Sequence, residues 1–465
     1  MTATSTQKGR RDRDMTQGSV WQHILLFSLP LIAANLLQQC YNIVDSIVVG
    51  NFVGKEALAA VGSVSPILFA LIGSFTGFAT GAGVVISQYF GAGDHKNMSR
   101  TVQTIVSLSL ILCVAITIIG VTATGPLLRA MRTPDDVFPQ AAEYLRIYFA
   151  GASGLLIYNM AAGILRAVGD SRHPLYCLII TSVIHIFLDL IFVIVFDWGI
   201  AGVAWATVIS QAICAVYVLT LLTRVNSAYA IKWAQRRIEP MLARRVISVG
   251  LPTAIQIALT SVSNVFVQAY INAFGSGVMA GWVAYNKLDQ FMMMPMMAIG
   301  LAATTFCGQN VGAGDLKRAR TGTLTALALA ELITVAVMVP LMIFAPQAVR
   351  IFGNAPEVIQ YGTVFMRALS PFYVCCVVNQ IYSGSIRGAG DTTGPTVIML
   401  GAFVVFRQIY LAIVSHAISG SILAIGFGYP AGWIVCSLSM YIYYRTGRWK
   451  RHMIVQSDGA LQTAQ

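Results

Sequence analysis

Long apolar runs separated by short polar stretches dominate the chain. Twelve of these runs are long enough to cross a bilayer as a helix, which takes about 20 residues. They occupy over half of the 465 residues, so the pattern predicts an all-α polytopic membrane protein with little room for a soluble domain. The predicted spans are 20–50, 56–89, 101–124, 138–164, 173–196, 199–223, 246–274, 278–308, 321–344, 357–384, 394–418 and 423–444.

The two halves of the chain repeat each other. QYFGAGD at 88–94 recurs as QNVGAGD at 309–315, and ILRAVGD at 164–170 recurs as SIRGAGD at 385–391, both at the same spacing. A shared spacing at separate places indicates an internal repeat. Six helices per half give both halves the same orientation, so we expect a parallel repeat with a pseudo-two-fold axis along the membrane normal. The predicted regions are a tail at 1–19, a six-helix lobe at 20–223, a linker at 224–245, a second six-helix lobe at 246–444 and a tail at 445–465.

Charge is sparse and unevenly placed. Charged residues make up 10% of the chain, against about 25% in soluble domains. The net charge of +12 would favour nucleic acid binding on a soluble protein, but Lys and Arg concentrate in the two tails, in the linker and in alternate loops. Because positive residues stay on the cytoplasmic side, we expect both termini inside the cell and no nucleic acid partner. The eight cysteines lie mostly in apolar runs and are interpreted as buried small side chains.

Acidic residues are rare inside the apolar runs and are candidate functional residues, because an intramembrane charge is expensive. Asp45 lies in the first run, where Gln38, Tyr41 and Asn42 share its helix face. A polar stripe on an otherwise apolar helix must face protein or water rather than lipid. Asp45 is therefore expected to face away from the lipid.

A second acid, Asp189, lies in the fifth run, one helical turn after His185. Counted from the outer turns at about 1.5 Å per residue, four polar residues reach a similar depth. They are Asp45, Tyr144, Asp189 and Thr207. Two neighbouring carboxylates do not both stay ionised without a cation or a proton between them, so the sequence predicts a cation or proton site in the first lobe. A purely structural pairing is the alternative for the two acids and for His185.

The second lobe has a polar helix face without an acid at the matching place. Gln256, Thr260 and Asn264 lie there, so we expect ion coupling mainly in the first lobe. Asp289 is interpreted either as a partner of Lys287 or as a residue of a substrate cavity.

A methionine-rich run at 291–300 suits a pocket for varied ligands or ordinary helix packing. The candidate cavity residues of the whole chain are Gln38, Asn42, Gln256, Thr260, Asn264, Asp289 and Met292.

The stretch SLPLIAANLLQQCYNIVDSIVVGNFVGKEALAAVG at 28–62, with QYFGAGD and ILRAVGD after it, resembles the multidrug and toxic compound extrusion (MATE) family. The resemblance covers about residues 18 to 445. It implies two six-helix bundles that export amphipathic, often cationic compounds in exchange for H⁺ or Na⁺. It also implies a bacterial inner (plasma) membrane.

Residues that match the family's cation or proton site are Asp45, Tyr144, Asn159, Asp189 and Thr207. For Na⁺, the metal ligands would be Asp45, Asp189 and Thr207. The family commonly has Asn where this chain has His185, and an imidazole titrates near neutral pH. Thr260 and Cys376 stand where the NorM-like branch has acids, so the chain looks closer to the DinF-like branch.

The expected function is therefore a secondary antiporter that works by alternating access, not an enzyme. We expect no cofactor apart from the transported H⁺ or Na⁺. The expected partners are small-molecule substrates and membrane lipid, with no ATPase subunit and a monomeric state. The alternatives are a flippase for lipid-linked saccharides or a specific metabolite exporter of the same superfamily. A membrane-embedded enzyme is disfavoured because His185 and Asp189 are its one candidate pair and no HExxH motif occurs.

Overall fold

Helices make up the regular structure of the protein. The computed structural model describes residues 14–131, 133–417 and 421–455, and within them no strand occurs. Six side chains in these ranges are outside the description, namely those of Asn42, Ser46, Lys55, Glu56, Leu58 and Ala417. In the described ranges, twelve helices are long and apolar enough to cross a membrane, which confirms the predicted fold class.

We number these helices in chain order. They are α1 Val20–Val53, α2 Lys55–Gly91, α3 His95–Ala130, α4 Phe138–Ala167, α5 Arg172–Val195, α6 Gly199–Arg224, α7 Pro240–Asn272, α8 Ser276–Gly312, α9 Leu316–Ile343, α10 Pro356–Gly388, α11 Thr393–His416 and α12 Ile422–Thr446. Shorter helical segments lie at Trp233–Gln235, Ala345–Arg350 and Arg448–His452.

The repeated GAGD motif forms the same turn in both halves. Asp94 caps the start of α3 by accepting the backbone N–H of Asn97 at 2.9 Å, and Asp315 caps α9 by accepting that of Arg318 at 2.7 Å. The preceding glycines have φ of +69° at Gly93 and +79° at Gly314, a conformation that favours glycine. The motif is therefore a tight turn with a helix cap, as its sequence indicates.

The chain forms two compact units. The N-terminal unit is Ala33–Ala254, and the C-terminal unit joins the described residues up to Ile32 with those from Ile255 onward. Met15, Ile24 and Phe27 are buried in the core of the C-terminal unit. In the N-terminal unit, α2 and the start of α7 pack so closely that a Cβ on Gly77 would lie 2.6 Å from the backbone nitrogen of Ala254. The units thus divide within α1 and α7, whereas the predicted lobes divide at the linker.

Three spanning helices contain a π-helical segment. These segments are Val49–Val53 at the end of α1, Ile191–Val195 at the end of α5 and Gly401–Phe406 within α11. Such segments often occur at functional sites. Two of them follow Asp45 and Asp189 by less than one and a half helical turns.

Three details differ from the sequence interpretation. The stretch between α6 and α7 is 225–239, shorter than the predicted linker, because α7 already begins at Pro240. Cys177 of α5 and Cys214 of α6 form a disulfide with their Cα atoms 5.7 Å apart, so these two are not simply small apolar residues. Cys40 is exposed rather than buried.

Candidate cation-coupling site

The π-helical ends of α1 and α5 stand next to a cluster of titratable side chains in the N-terminal unit. Asp45, His185 and Asp189 each offer one ligand atom, and these atoms lie within 4.8 Å of one another. Asp189 is 0% exposed and His185 is 4% exposed, while Asp45 is half-buried. Burying acids this deeply is costly unless a cation or proton compensates them.

A hydrogen bond from His185 to Thr207 determines which ring nitrogen faces Asp189. Thr207 of α6 donates its hydroxyl to the carbonyl of Val203 at 3.1 Å, so its oxygen is left to accept Nε2–H of His185 at 3.0 Å. In the neutral ring Nδ1 then carries the lone pair. That nitrogen lies 3.1 Å from Oδ2 of Asp189, where two acceptors would face each other.

Several acceptors of the cluster have no donor. Among the described residues, Nδ1 of His185, both carboxylate oxygens of Asp189 and Oδ1 of Asp45 are buried without a hydrogen-bond partner. Buried polar atoms are rarely left this way. Oxygen donors are the ligands that hard cations prefer, and a proton on one carboxyl would also supply a donor. The residues present therefore fit a small cation or a proton.

Aromatic side chains surround the cluster. The ring of Tyr41 meets that of His185 edge-on at 5.2 Å. Tyr144 of α4 is 4% exposed, stacks on Tyr148 at 6.2 Å, and interacts electrostatically with Asp45 and Asp189. Low-dielectric walls of this kind strengthen any charge interaction inside them.

Asn159 is not brought to this cluster. Its amide donates to the carbonyl of Leu155 at 2.9 Å, within its own helix. It lies 15 residues beyond Tyr144 in α4, a separation of about 22 Å along the helix axis. A family motif matches residues in order and does not by itself give their depth.

The candidate cavity residues of the C-terminal unit have diverse surroundings. Gln256 accepts a hydrogen bond from Arg387 at 2.5 Å, and Asn264 accepts one from Arg407 at 2.7 Å. The hydroxyl of Thr260 is buried, with no partner among the described residues. Met292 is 2% exposed and packs in the hydrophobic core, which disfavours a place for it in a cavity.

Asp289 of α8 has a partner that the sequence did not indicate. The hydroxyl of Tyr373 donates to its carboxylate, and the hydroxyls of Tyr373 and Tyr285 lie 3.1 Å apart. Lys287 is exposed and forms no ion pair with Asp289 within the described residues, so the proposed Lys287–Asp289 pair is wrong. Tyr373 lies too far along the chain for sequence spacing to reveal it.

The two remaining candidates lie on α1. Gln38 is exposed. Asn42 is part of the helix, but its side chain lies outside the description.

Comparison with known proteins identifies the family. A model of the MatE family matches residues 30–191 and again residues 252–413, one match in each half. The chain is 30% identical over 438 residues to the probable multidrug resistance protein YpnP of Bacillus subtilis (strain 168), covering 94% of this chain and 97% of YpnP. It is also 30% identical over 445 residues to the probable multidrug resistance protein YoeA of the same strain, covering 94% and 96%.

Solved structures agree with the fold. A multidrug resistance MATE family transporter of the MOP superfamily, solved in an outward-facing conformation, matches at a TM-score of 0.88 and 24% identity, covering 94% of this chain and 98% of that one. Twelve apolar helices in two repeated halves and a buried acidic cluster define a multi-pass membrane transporter. The chain belongs to the MATE family.

Proposed function

We propose that this protein exports amphipathic, often cationic compounds in exchange for H⁺ or Na⁺, and that Asp45, His185 and Asp189 hold the exchanged cation. The observation that carries the proposal is the set of buried acceptors without donors at these residues. The names of the relatives YpnP and YoeA support multidrug efflux.

The chemistry of the cluster supports coupling. Two close carboxylates titrate as a pair, and both are ionised only when a cation lies between them or the site opens to water. A state that exposes the cluster to water therefore favours ion release, and a closed state favours the occupied site. A ligand shifts a conformational equilibrium only by its differential affinity for the two states. Occupancy of the cluster would thus bias the exporter towards one conformation.

Each candidate ion uses the same side chains differently. Na⁺ would take oxygens of Asp45, Asp189 and Thr207, and His185 would stay neutral beside it. With H⁺, one carboxyl would hold the proton, and the Nδ1 lone pair of His185 would accept its hydrogen bond. The proton scheme places the proton where Nδ1 of His185 and Oδ2 of Asp189 face one another at 3.1 Å, and both schemes use a carboxylate oxygen of Asp189.

Three other functions fit less well. A flippase for lipid-linked saccharides would use a cationic cavity, whereas Arg407 is buried and hydrogen-bonded to Ser263 and Asn264. A specific metabolite exporter of the same superfamily would share the fold, but the names of the relatives favour multidrug efflux. A membrane enzyme would need its His185–Asp189 pair open to substrate, yet both side chains are buried. The distribution of positive charge supports a location of both termini inside the cell. The bacterial relatives support the bacterial plasma membrane, and we expect a monomer there.

The proposal is tested with purified protein in proteoliposomes loaded with a fluorescent cationic dye. A pH gradient and a Na⁺ gradient are imposed separately on the wild type, on Asp45→Asn and on Asp289→Asn, which removes a half-buried acid from the other unit. We expect one gradient to drive dye through the wild type and Asp289→Asn but not through Asp45→Asn. Equal transport by Asp45→Asn would refute the site. Dye movement with neither gradient would favour the flippase or metabolite exporter.

A further inference from the structure

A basic cavity lies at one end of the N-terminal unit, away from the acidic cluster. Its volume is about 720 Å³, and its walls are the first turns of α3 and the segment between α6 and α7. Five lining side chains carry a permanent positive charge at neutral pH. They are Lys96, Arg100, Lys232, Arg236 and Arg237.

One acid partly neutralises this cavity. Glu239 lies 3.2 Å from Arg100 and 2.5 Å from Arg237, so it forms ion pairs with two of the five cations. Among the described residues, Lys96 and Lys232 have no ion-pair partner. Like charges gathered this closely repel one another. An anion in the cavity would relieve that repulsion.

The cavity wall is held in place by a buried side chain. Gln103 of α3 is 3% exposed; its amide donates to the carbonyl of Ala230 at 2.9 Å and accepts the backbone N–H of Lys232 at 3.1 Å. A buried side chain that uses both ends of its amide fixes its partner segment closely. The segment 230–232 is therefore fastened against α3, and the position of Lys232 follows from this anchor.

Apolar residues follow the basic cavity along the same helix face. Val106 and Leu110 come three and seven residues after Gln103, so they lie below it on one face of α3. With Ile231 and Trp233 they line a separate cavity of about 30 Å³. That volume is about the size of one water molecule, so this cavity does not hold an acyl chain.

The position of the cavity matters because α3 is a membrane-spanning helix. The basic cavity is at the helix end, where lipid headgroups lie, and the apolar part of α3 begins below it. Trp233 is 43% exposed beside it, and tryptophan is enriched at this level of a membrane. A charged cavity next to an exposed tryptophan matches the headgroup and interface levels of a phospholipid layer.

We propose that this cavity binds the headgroup of an anionic phospholipid. The phosphate would lie among Lys96, Lys232 and Arg236, which offer charge-assisted hydrogen bonds. The acyl chains would extend into the surrounding membrane. The lipid would then join α3 to the segment between α6 and α7 and stabilise the N-terminal unit.

The test uses the purified full-length protein in detergent and native mass spectrometry. Phosphatidylglycerol is compared with phosphatidylcholine of the same acyl chains, and inorganic phosphate and glycerol phosphate serve as competitors without chains. The variant is Lys96→Gln with Arg236→Gln. The matched control is Lys317→Gln with Arg320→Gln, which removes two exposed cations from α9, the repeat counterpart of α3.

We expect preferential binding of phosphatidylglycerol, a loss of roughly tenfold or more in the Lys96/Arg236 variant, no loss in the control, and weak competition by the chain-free phosphates. Equal binding of both lipids would overturn the proposal, as would equal loss in the control. Competition by glycerol phosphate as strong as that by the lipid would replace it with a plain phosphate site. A melting temperature of the unliganded variant equal to that of the wild type separates lost binding from lost folding.

Discussion

The two halves of the chain share one fold and differ in which buried charged residues they contain. In the N-terminal unit, Asp45 and Asp189 meet beside His185. The internal repeat also pairs the Leu-Pro at 29–30 with that at 251–252, and Pro174 with Pro395. Counting from these pairs places Val267 and Tyr410 at the matching positions of the C-terminal half. Val267 is buried in the core, and the hydroxyl of Tyr410 donates to the carbonyl of Ala424 at 3.0 Å. The same scaffold is therefore stable without the acids.

Arg407 of the C-terminal unit is a buried charge with hydrogen-bond partners. It is 3% exposed, donates to Ser263 at 2.8 Å and to Asn264 at 2.7 Å, and lies 4.8 Å from the ring centre of Tyr429. Its Nε is buried without a partner within the described residues, as is Oε2 of the acid Glu331. A hydrogen-bonded charge is typical of structure, whereas a cluster of several acceptors without donors is typical of a binding site.

The largest effect should come from removing the acids of the N-terminal unit. Asp45→Asn and Asp189→Asn should each abolish gradient-driven export, because an amide does not release a cation or proton as a carboxylate does. Dye export from proteoliposomes measures this, with protein yield and melting temperature as checks on folding. Asp289→Asn, the matched change in the other unit, should retain export. Normal export by both N-terminal variants would remove the distinction between the halves.

Arg407→Met should act on stability rather than on coupling. The change leaves Asn264 without its donor, removes one of the two donors to the hydroxyl of Ser263 and removes the contact with Tyr429. The cost should be about 1–3 kcal/mol. We expect a lower melting temperature and an unchanged dependence of export on the ion gradient. If export lost its ion dependence while the fold remained intact, the C-terminal charge would belong to the coupling machinery.

Thr207→Val should weaken the cation site without destroying it. The change removes the acceptor of His185 Nε2–H and one candidate ligand oxygen. We expect the apparent affinity for the coupling ion to fall roughly tenfold. The concentration of ion that gives half-maximal export measures this. Thr220→Val removes an exposed hydroxyl from the same helix and should leave that value unchanged. Similar shifts in both variants would assign the effect to α6 in general.

His185→Asn should change the pH dependence more than the maximal rate. Protonation of the imidazole places a positive charge beside Asp189 and competes with a cation there, so export should weaken as pH falls, and less so in the variant. Export is measured at a fixed Na⁺ gradient over a series of pH values from about 4 to 8. His173→Asn is the control, since His173 also lies 2.6 Å from an acid, Asp170, but at the far end of α5. Identical pH profiles in all three proteins would make His185 a structural residue.

Much of this architecture is predictable from the sequence. The thickness of the bilayer sets the length of each apolar run, and an internal duplication gives the repeated motifs their shared spacing. The similar depth of Asp45 and Asp189 follows from counting residues from the helix ends, and so does the greater depth of Asn159. Other features depend on rotation and packing. The two acids meet, the donor to Asp289 is Tyr373, and the disulfide joins Cys177 to Cys214. No spacing rule predicts which faces of two helices are in contact when the helices are distant in sequence.

Cation binding by the purified protein tests the central claim most directly. Sodium binding and substrate-induced proton release are measured for the wild type, Asp45→Asn, Asp189→Asn and Asp289→Asn. The account predicts one cation or proton exchanged per protein in the wild type and Asp289→Asn, and none in the two N-terminal variants. Binding that survives in Asp45→Asn and Asp189→Asn but disappears in Asp289→Asn would contradict it and move the coupling site to the C-terminal unit.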